Sequence, residues 1–397
     1  MLNFPPSSRP FAAMRRALLA ATAALLAVGA HAQPVQGVTD TEILIGSITD
    51  LSGPVASVGG PHRDGMILAV DDINAAGGIH GRKIRLVVED SGYDPKKGVL
   101  AAQKLLTQDK VFALIGTLGS AMVQATSPAA LERNVPVLFP MASTEASFTP
   151  HGPLKFGLLG LGTDSARVAT KYVVETLGRR KVGVIYQDDE TGLTYLRAIE
   201  AQLKVHGLAL VERTSHKRGE TNFSTQVSRL KAANVDGVML GILPREAAAF
   251  AVEARTQGWK VDMMLPNATV QPVVTLAAGA AEGMYGTNAF AGMSQDSSPE
   301  YDALLARFKA RFGRDVTDGV NFGYVSMMLF AEGAKNAGRT LTATTLAQGL
   351  EKVRDFKSVF QTVPMGFSAE SHAPARTAFI FQIQGPKWKV VGGPVGY

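Results

Sequence analysis

VFALIGTLGSAMVQATSPAALERNVPVLFPMAST, residues 111–144, decides the fold. Residues 111–115 are a short apolar run of strand formers. Gly116, Thr117, Leu118, Gly119 and Ser120 make a turn that ends in a residue suited to cap a helix. Residues 121–133 read as helix, restarted at Ser127-Pro128. A second apolar run, 135–139, leads into Met141, Ala142, Ser143 and Thr144. Neither apolar run alternates, as expected for parallel strands buried on both faces. Such sheets bind ligands outside the carboxyl ends of their strands, where Ser120 and Ser143-Thr144 fall. The two turns read as half of a small-molecule site.

The same grammar extends outward. Strands are expected at 42–48 and 84–89. A helix over 62–75 carries Met66, Ala69, Val70 and Ile73 on one face and stops at Gly77-Gly78, with 55–60 as a loop before it. Asp94-Pro95 opens a helix to about residue 108, with Val99, Ala102, Leu105 and Leu106 inward. At Gly157, Gly160 and Gly162 the chain starts again. Strands at 181–186, 208–213, 235–241 and 261–265 alternate with helices at 163–177, 193–206, 223–233 and 244–257. A strand at 283–287, helices at 298–312, 319–337 and 342–353, and a hairpin over 376–391 follow. Alternating strands and helices predict an α/β fold of two lobes with parallel sheets, and the late elements provide several crossovers between them.

Residues 1–32 read as a signal peptide. Arg15-Arg16 precede an apolar run, and Ala30-His31-Ala32 is a small-x-small cleavage site, so Gln33 becomes the mature N-terminus; Met14 is an alternative start. Removing 32 of 397 residues leaves 365, a length for roughly two domains. Three arginines leave with the signal, taking the formal charge from +6 to +3. There is no cysteine, which excludes disulfides and a lipid-modified cysteine anchor. No basic run interleaved with aromatics argues for nucleic acid, and no later apolar run is long enough to span a bilayer.

No catalytic constellation stands out: there is no HExxH, no metal-ligand spacing, no GxSxG and no phosphate loop. No enzyme activity, cofactor or metal is expected. Asp188-Asp189-Glu190 reads as acids at a helix N-terminus. Ser120 alone reads as a cap. Three polar turns at strand ends, after Ile115, Phe139 and Tyr186, together point to an anion held at helix N-termini, and a carboxylate suits them.

With these residues in hand, the chain resembles the leucine/isoleucine/valine-binding protein family of ABC-transporter receptors. The resemblance rests on IGSITDLSGPVASVGGPHRDGMILAVDDINAAGGIHG (45–81), EDSGYDPKK (89–97), 115–124 and 135–144. It implies a type I periplasmic binding fold: two Rossmann-like lobes joined by a three-crossover hinge and closing over a small ligand. The implied lobes are 41–157 plus 289–362 and 158–288 plus 363–397. It also implies a periplasmic monomer that hands ligand to a permease and ATPase complex at the inner membrane. The carboxylate would meet Leu118, Gly119, Ser120, Met141, Ala142 and Ser143. The family's acidic partner for the ligand ammonium falls on Asn267, its aromatics on Thr191, Ile242 and Val58, and its frequent disulfide on Tyr93 and Gly119. Asp188 is the substitute acid. The ligand is therefore a branched-chain or related amino acid, or an amine-free aromatic or aliphatic carboxylate, amide or urea. A ligand-sensing module for a signalling receptor is the competing class, and a hydrolase on the same scaffold is the third.

Overall fold

Seven of the eight residues of β1 (Glu42–Thr49) are buried, which is why the run shows no polar alternation. The computed structural model describes residue 1 and residues 35–142, 144–158, 162–217, 219–266, 271–290, 292, 298–360, 363–374 and 376–397. The expected signal segment thus lies outside the described residues, Met1 apart. In the first sheet β1 pairs in parallel with β2 (Lys83–Asp90) and β3 (Ala113–Ile115); β4 (Val137–Leu138) and β5 (Lys155–Phe156) extend it, giving the order β2-β1-β3-β4-β5. Helices α1 (Ala56–Ala75), α2 (Pro95–Thr107) and α3 (Ser120–Leu131) connect these strands.

Helix α4 (Gly162–Glu175) opens the second lobe. Its sheet joins β6 (Val182–Gln187), β7 (Glu212–His216), β8 (Gly237–Gly241), β9 (Asp262–Leu265), β10 (Tyr285–Asn288), β11 (Thr377–Gln384) and β12 (Lys387–Gly396), in the order β12-β11-β10-β9-β8-β6-β7. Strands β6 to β10 pair in parallel, whereas β11 and β12 add an antiparallel hairpin. Helices α5 (Glu190–Val205), α6 (Ser224–Ala232), α7 (Pro244–Thr256) and α8 (Gln271–Ala277) link them.

After β10 the chain returns to the first lobe. Helices α9 (Pro299–Phe312), α10 (Asp318–Ala337) and α11 (Ala343–Leu350) follow, and α10 lies along α1 in backbone contact. A Cβ on Gly65 would overlap the Val320 carbonyl, and one on Gly323 would overlap that of His62. Three arginines then tie α1 to α9 and the loop after it. Arg314 joins Arg63 of α1 itself on the buried Asp64, Arg307 and the Tyr324 hydroxyl hold Asp72, and Arg311 reaches Asp71 at 3.3 Å.

Residues 363–397 were expected in the second lobe. Residues 363–374 instead stay on the first. The Phe367 ring packs 5.2 Å from Phe156 and 5.9 Å from Phe139. His372 stacks on Phe156 at 3.7 Å, its Nδ1 lies 2.9 Å from the Lys155 carbonyl oxygen, and its Nε2 lies 3.1 Å from Glu351. Pairing in the second sheet begins only at Thr377. The chain thus passes between the lobes after β5, after β10 and before β11.

Three local expectations are corrected. Residues 55–60 are not all loop, because α1 begins at Ala56: Gly59 lets its first turn press on the Asp50 carbonyl, and Pro61 is accommodated within the helix. Val99 is 44% exposed, and the inward face of α2 is Gly98, Ala101, Ala102, Leu105 and Leu106. Strand β7 starts at Glu212 rather than 208; Leu208 and Leu210 pack as a lead-in, and the polar β7 pairs only with β6 at the sheet edge.

Candidate ligand site

The two turns singled out in the sequence lie side by side. The Leu118 N–H donates to Ile48 O (2.9 Å) and the Gly119 N–H to Met141 O (3.1 Å), and Leu118 bridges Met141 in parallel. Leu118 and Ala142 are buried, while Ser120 and Met141 are half-buried. Ser143 lies outside the described residues.

Ser120 does not cap α3, contrary to the expectation. Gly119 occupies the N-cap with φ of 100°, a conformation that favours glycine, and Ser120 is the first helical residue. The Ser120 hydroxyl makes no capping bond, and the N–H groups of Ser120, Ala121 and Met122 have no acceptor among the described residues. A hydroxyl that makes no capping bond and three N–H groups without an acceptor among the described residues, at a positive dipole end, suit a carboxylate.

Tyr93, which sequence reasoning noted only as the place of a missing disulfide, covers this turn. Its Cε2 lies 2.8 Å from where a Gly119 Cβ would be. Tyr93 has φ of 57°, and its N–H donates to Ser91 Oγ at 3.2 Å. Beneath it, Asp90 accepts from Leu51 N–H, Ser52 Oγ and Gly92 N–H. Burial pushes the Asp90 carboxyl up, but these hydrogen bonds and the Lys97 charge outweigh it and hold the group below its ordinary range. An aromatic contact thus closes the two loops where the resemblance implies a disulfide. The positive φ at 93 was the missed feature, and nothing in the residue type signals it.

The facing residues come together less. Asp188 is exposed, with its N–H donating to His216 O at 2.8 Å. Asp189 caps α5 through the Gly192 N–H (3.2 Å), as the helix-terminal reading expects of that one acid. Thr191 is in the first turn of α5, and only its backbone is described. Ile242 was expected to line the ligand. It is 5% exposed and belongs to the second-lobe core with Leu240, Ala247 and Phe250, because β8 runs on into buried packing. Asn267 lies outside the described residues. Among the described residues no group of three potential ligands could hold a metal, and no helix is long and apolar enough to cross a membrane.

The profile of the periplasmic binding protein family matches residues 42–387. The chain belongs to the periplasmic binding protein family. This family member is 30% identical over 298 residues to an amino acid binding protein of Pseudomonas aeruginosa, covering 75% of the chain and 79% of the relative. It is also 30% identical over 272 residues to the Leu/Ile/Val-binding protein of Escherichia coli K12, covering 68% and 73%. In structure it is similar to the branched-chain amino acid transporter substrate-binding protein LivJ of Streptococcus pneumoniae, solved with isoleucine. The TM-score is 0.75 with 25% identity, over 88% of this chain and 99% of that one. The type I periplasmic binding fold, with two α/β lobes and mostly parallel sheets, is thereby that of this chain.

Proposed function

We propose that this periplasmic binding protein captures a small carboxylate, such as a branched-chain or related amino acid, between its lobes for an ABC importer. The observation that carries the reading is the paired turn of the first lobe, where the Ser120 hydroxyl makes no capping bond and three N–H groups have no acceptor among the described residues. The amino acid ligands named for the relatives support it. Leu118, Gly119, Ser120, Met141, Ala142 and Ser143 hold the carboxylate. Asp188, Thr191 and Asn267 face it from the second lobe, and Ile242 supports that wall from the core. The protein works as a monomer without catalysis. Its signal segment is removed near Ala32, and it delivers ligand in the periplasm to a permease and ATPase complex. Ligand touching both lobes favours the closed form, which the membrane partner reads.

An amine-free carboxylate is the second reading, favoured by the exposure of Asp188 and the neutral residue at 267. In either case Ser120→Ala removes one hydrogen bond to a charged group. Calorimetry should show affinity weakened by about ten- to a hundredfold, since such bonds contribute about 1.5–3 kcal/mol. Unchanged affinity would remove Ser120 from the site.

A further inference from the structure

Three side chains beneath the ligand turn are buried with polar atoms that bond to nothing among the described residues. They are Ser47 on β1, His62 on α1 and Thr117 in the turn itself, and the four atoms are Ser47 Oγ, both His62 ring nitrogens and Thr117 Oγ1. Ser47 and His62 are 0% exposed and Thr117 2%. Burial holds the imidazole neutral at pH 7, so one nitrogen donates and the other accepts. Buried groups of this kind are satisfied by protein or by ordered water, and apolar side chains would fill the same space at lower cost.

The three belong to one place. Gly46 faces α2, since a Cβ there would stand 3.2 Å from Leu105 Cδ1, so its neighbour Ser47 faces the other side of the sheet. Thr49, on the same side as Ser47, reaches the Gly59 carbonyl of α1 at 3.4 Å. His62 lies one turn further along α1 than Gly59, and α10 presses on its backbone at Gly319 and Gly323. Gly116 then brings the ligand turn onto the ring. A Cβ at 116 would lie 2.8 Å from His62 Cε1, 3.1 Å from Nε2 and 3.3 Å from Met66 Sδ. Gly116 has φ of 70°, and Thr117 is the next residue. Strand, helix and turn thus converge with their polar atoms enclosed.

We propose that Ser47, His62 and Thr117 enclose a water that ties the ligand turn to α1, and that His62 and Thr117 are positioning residues for ligand binding. This rests on the carboxylate reading of the first lobe. The water fixes Thr117 in the same turn as Ser120, and through it the direction of the N–H groups that open α3. The three side chains act through the turn and not on the ligand.

The test is calorimetry of ligand-stripped wild type, His62→Leu, Thr117→Val and the double variant, with L-leucine and with 4-methylpentanoate, its deaminated counterpart. Thermal unfolding shows which variants are folded. Thr117→Val keeps the shape and removes only the hydroxyl, so the test stands on it if His62→Leu does not fold. Affinity for the acid that wild type binds should fall about tenfold in each single variant and no further in the double, because both act through one water. A crystal structure of wild type should show an ordered water within hydrogen-bond distance of Thr117 Oγ1 and a His62 nitrogen. Unchanged affinity in Thr117→Val would overturn the proposal, as would losses that add in full in the double variant, or a crystal structure in which these atoms bond directly to each other. Wild type that binds neither acid would remove the carboxylate reading as well, whereas variants that bind like wild type would remove the positioning role alone.

Discussion

Replacing Gly323 with alanine lowers stability by about 3 kcal/mol or more, although alanine is the better helix former. Propensity alone would favour the change by about 1 kcal/mol. Against that, a Cβ at 323 would overlap the His62 carbonyl oxygen and stand 2.9 Å from the Met66 nitrogen. These are backbone atoms of α1 and cannot swing aside like a side-chain tip. The whole α1–α10 pair must separate, and Val320, Phe322 and Met66, all 0–1% exposed, lose contacts with it. Overpacking of this kind costs about 1–3 kcal/mol where side chains yield, and more where they cannot. Urea unfolding followed by circular dichroism measures the loss. A midpoint equal to wild type would mean that the two helices are not in backbone contact.

The second large effect is a loss of stability in acid that traces to one residue. His62 is fully buried on α1, neither ring nitrogen has a partner among the described residues, and burial pushes its pKa down from 6.5 to about 4. The unfolded chain therefore binds a proton near pH 6.5, while the folded chain resists it until about pH 4. The stability is present in full above pH 6.5, falls as pH drops through that window, and is wholly lost once the folded form also protonates. Two and a half pKa units correspond to about 3 kcal/mol, of which about 2.5 kcal/mol is gone by pH 4.5. Carboxylates titrate over part of the same range in any variant, so the comparison is between wild type and His62→Gln at pH 7.5 and 4.5. The variant should lose about 2.5 kcal/mol less than wild type on acidification. Parallel losses would show that His62 is not a buried neutral group.

Both effects arise where two distant segments meet, and that is also where sequence reasoning stopped. The two-lobe fold was legible because residues 111–115 and 135–139 lack alternation, and burial on both faces is what removes it. Residues 55–60 were misread because Gly59-Gly60-Pro61 has the composition of a loop. Only the close approach of Gly59 to the Asp50 carbonyl shows why those residues sit in a helix. The paired turns were legible from their place after strands. The place of Ser120 was half legible: its neighbour Gly119 takes the cap, which leaves the Ser120 hydroxyl without a capping bond. The polar groups beneath the turn were not legible, since Ser47, His62 and Thr117 are ordinary residue types and only their burial without a partner distinguishes them. Ile242 failed in the opposite direction, a strand-end position drawn into the core.

The central claim is that a carboxylate is held at the N-terminus of α3. The most direct test is calorimetry of ligand-stripped protein with L-leucine, L-valine, 4-methylpentanoate and benzoate, each beside its amide. At least one acid should bind, and its amide should bind at least about tenfold more weakly, because the N–H groups of Ser120, Ala121 and Met122, without an acceptor among the described residues, favour an anion over a neutral amide. An amide that binds as tightly as its acid, or a panel in which no acid binds, would contradict the account.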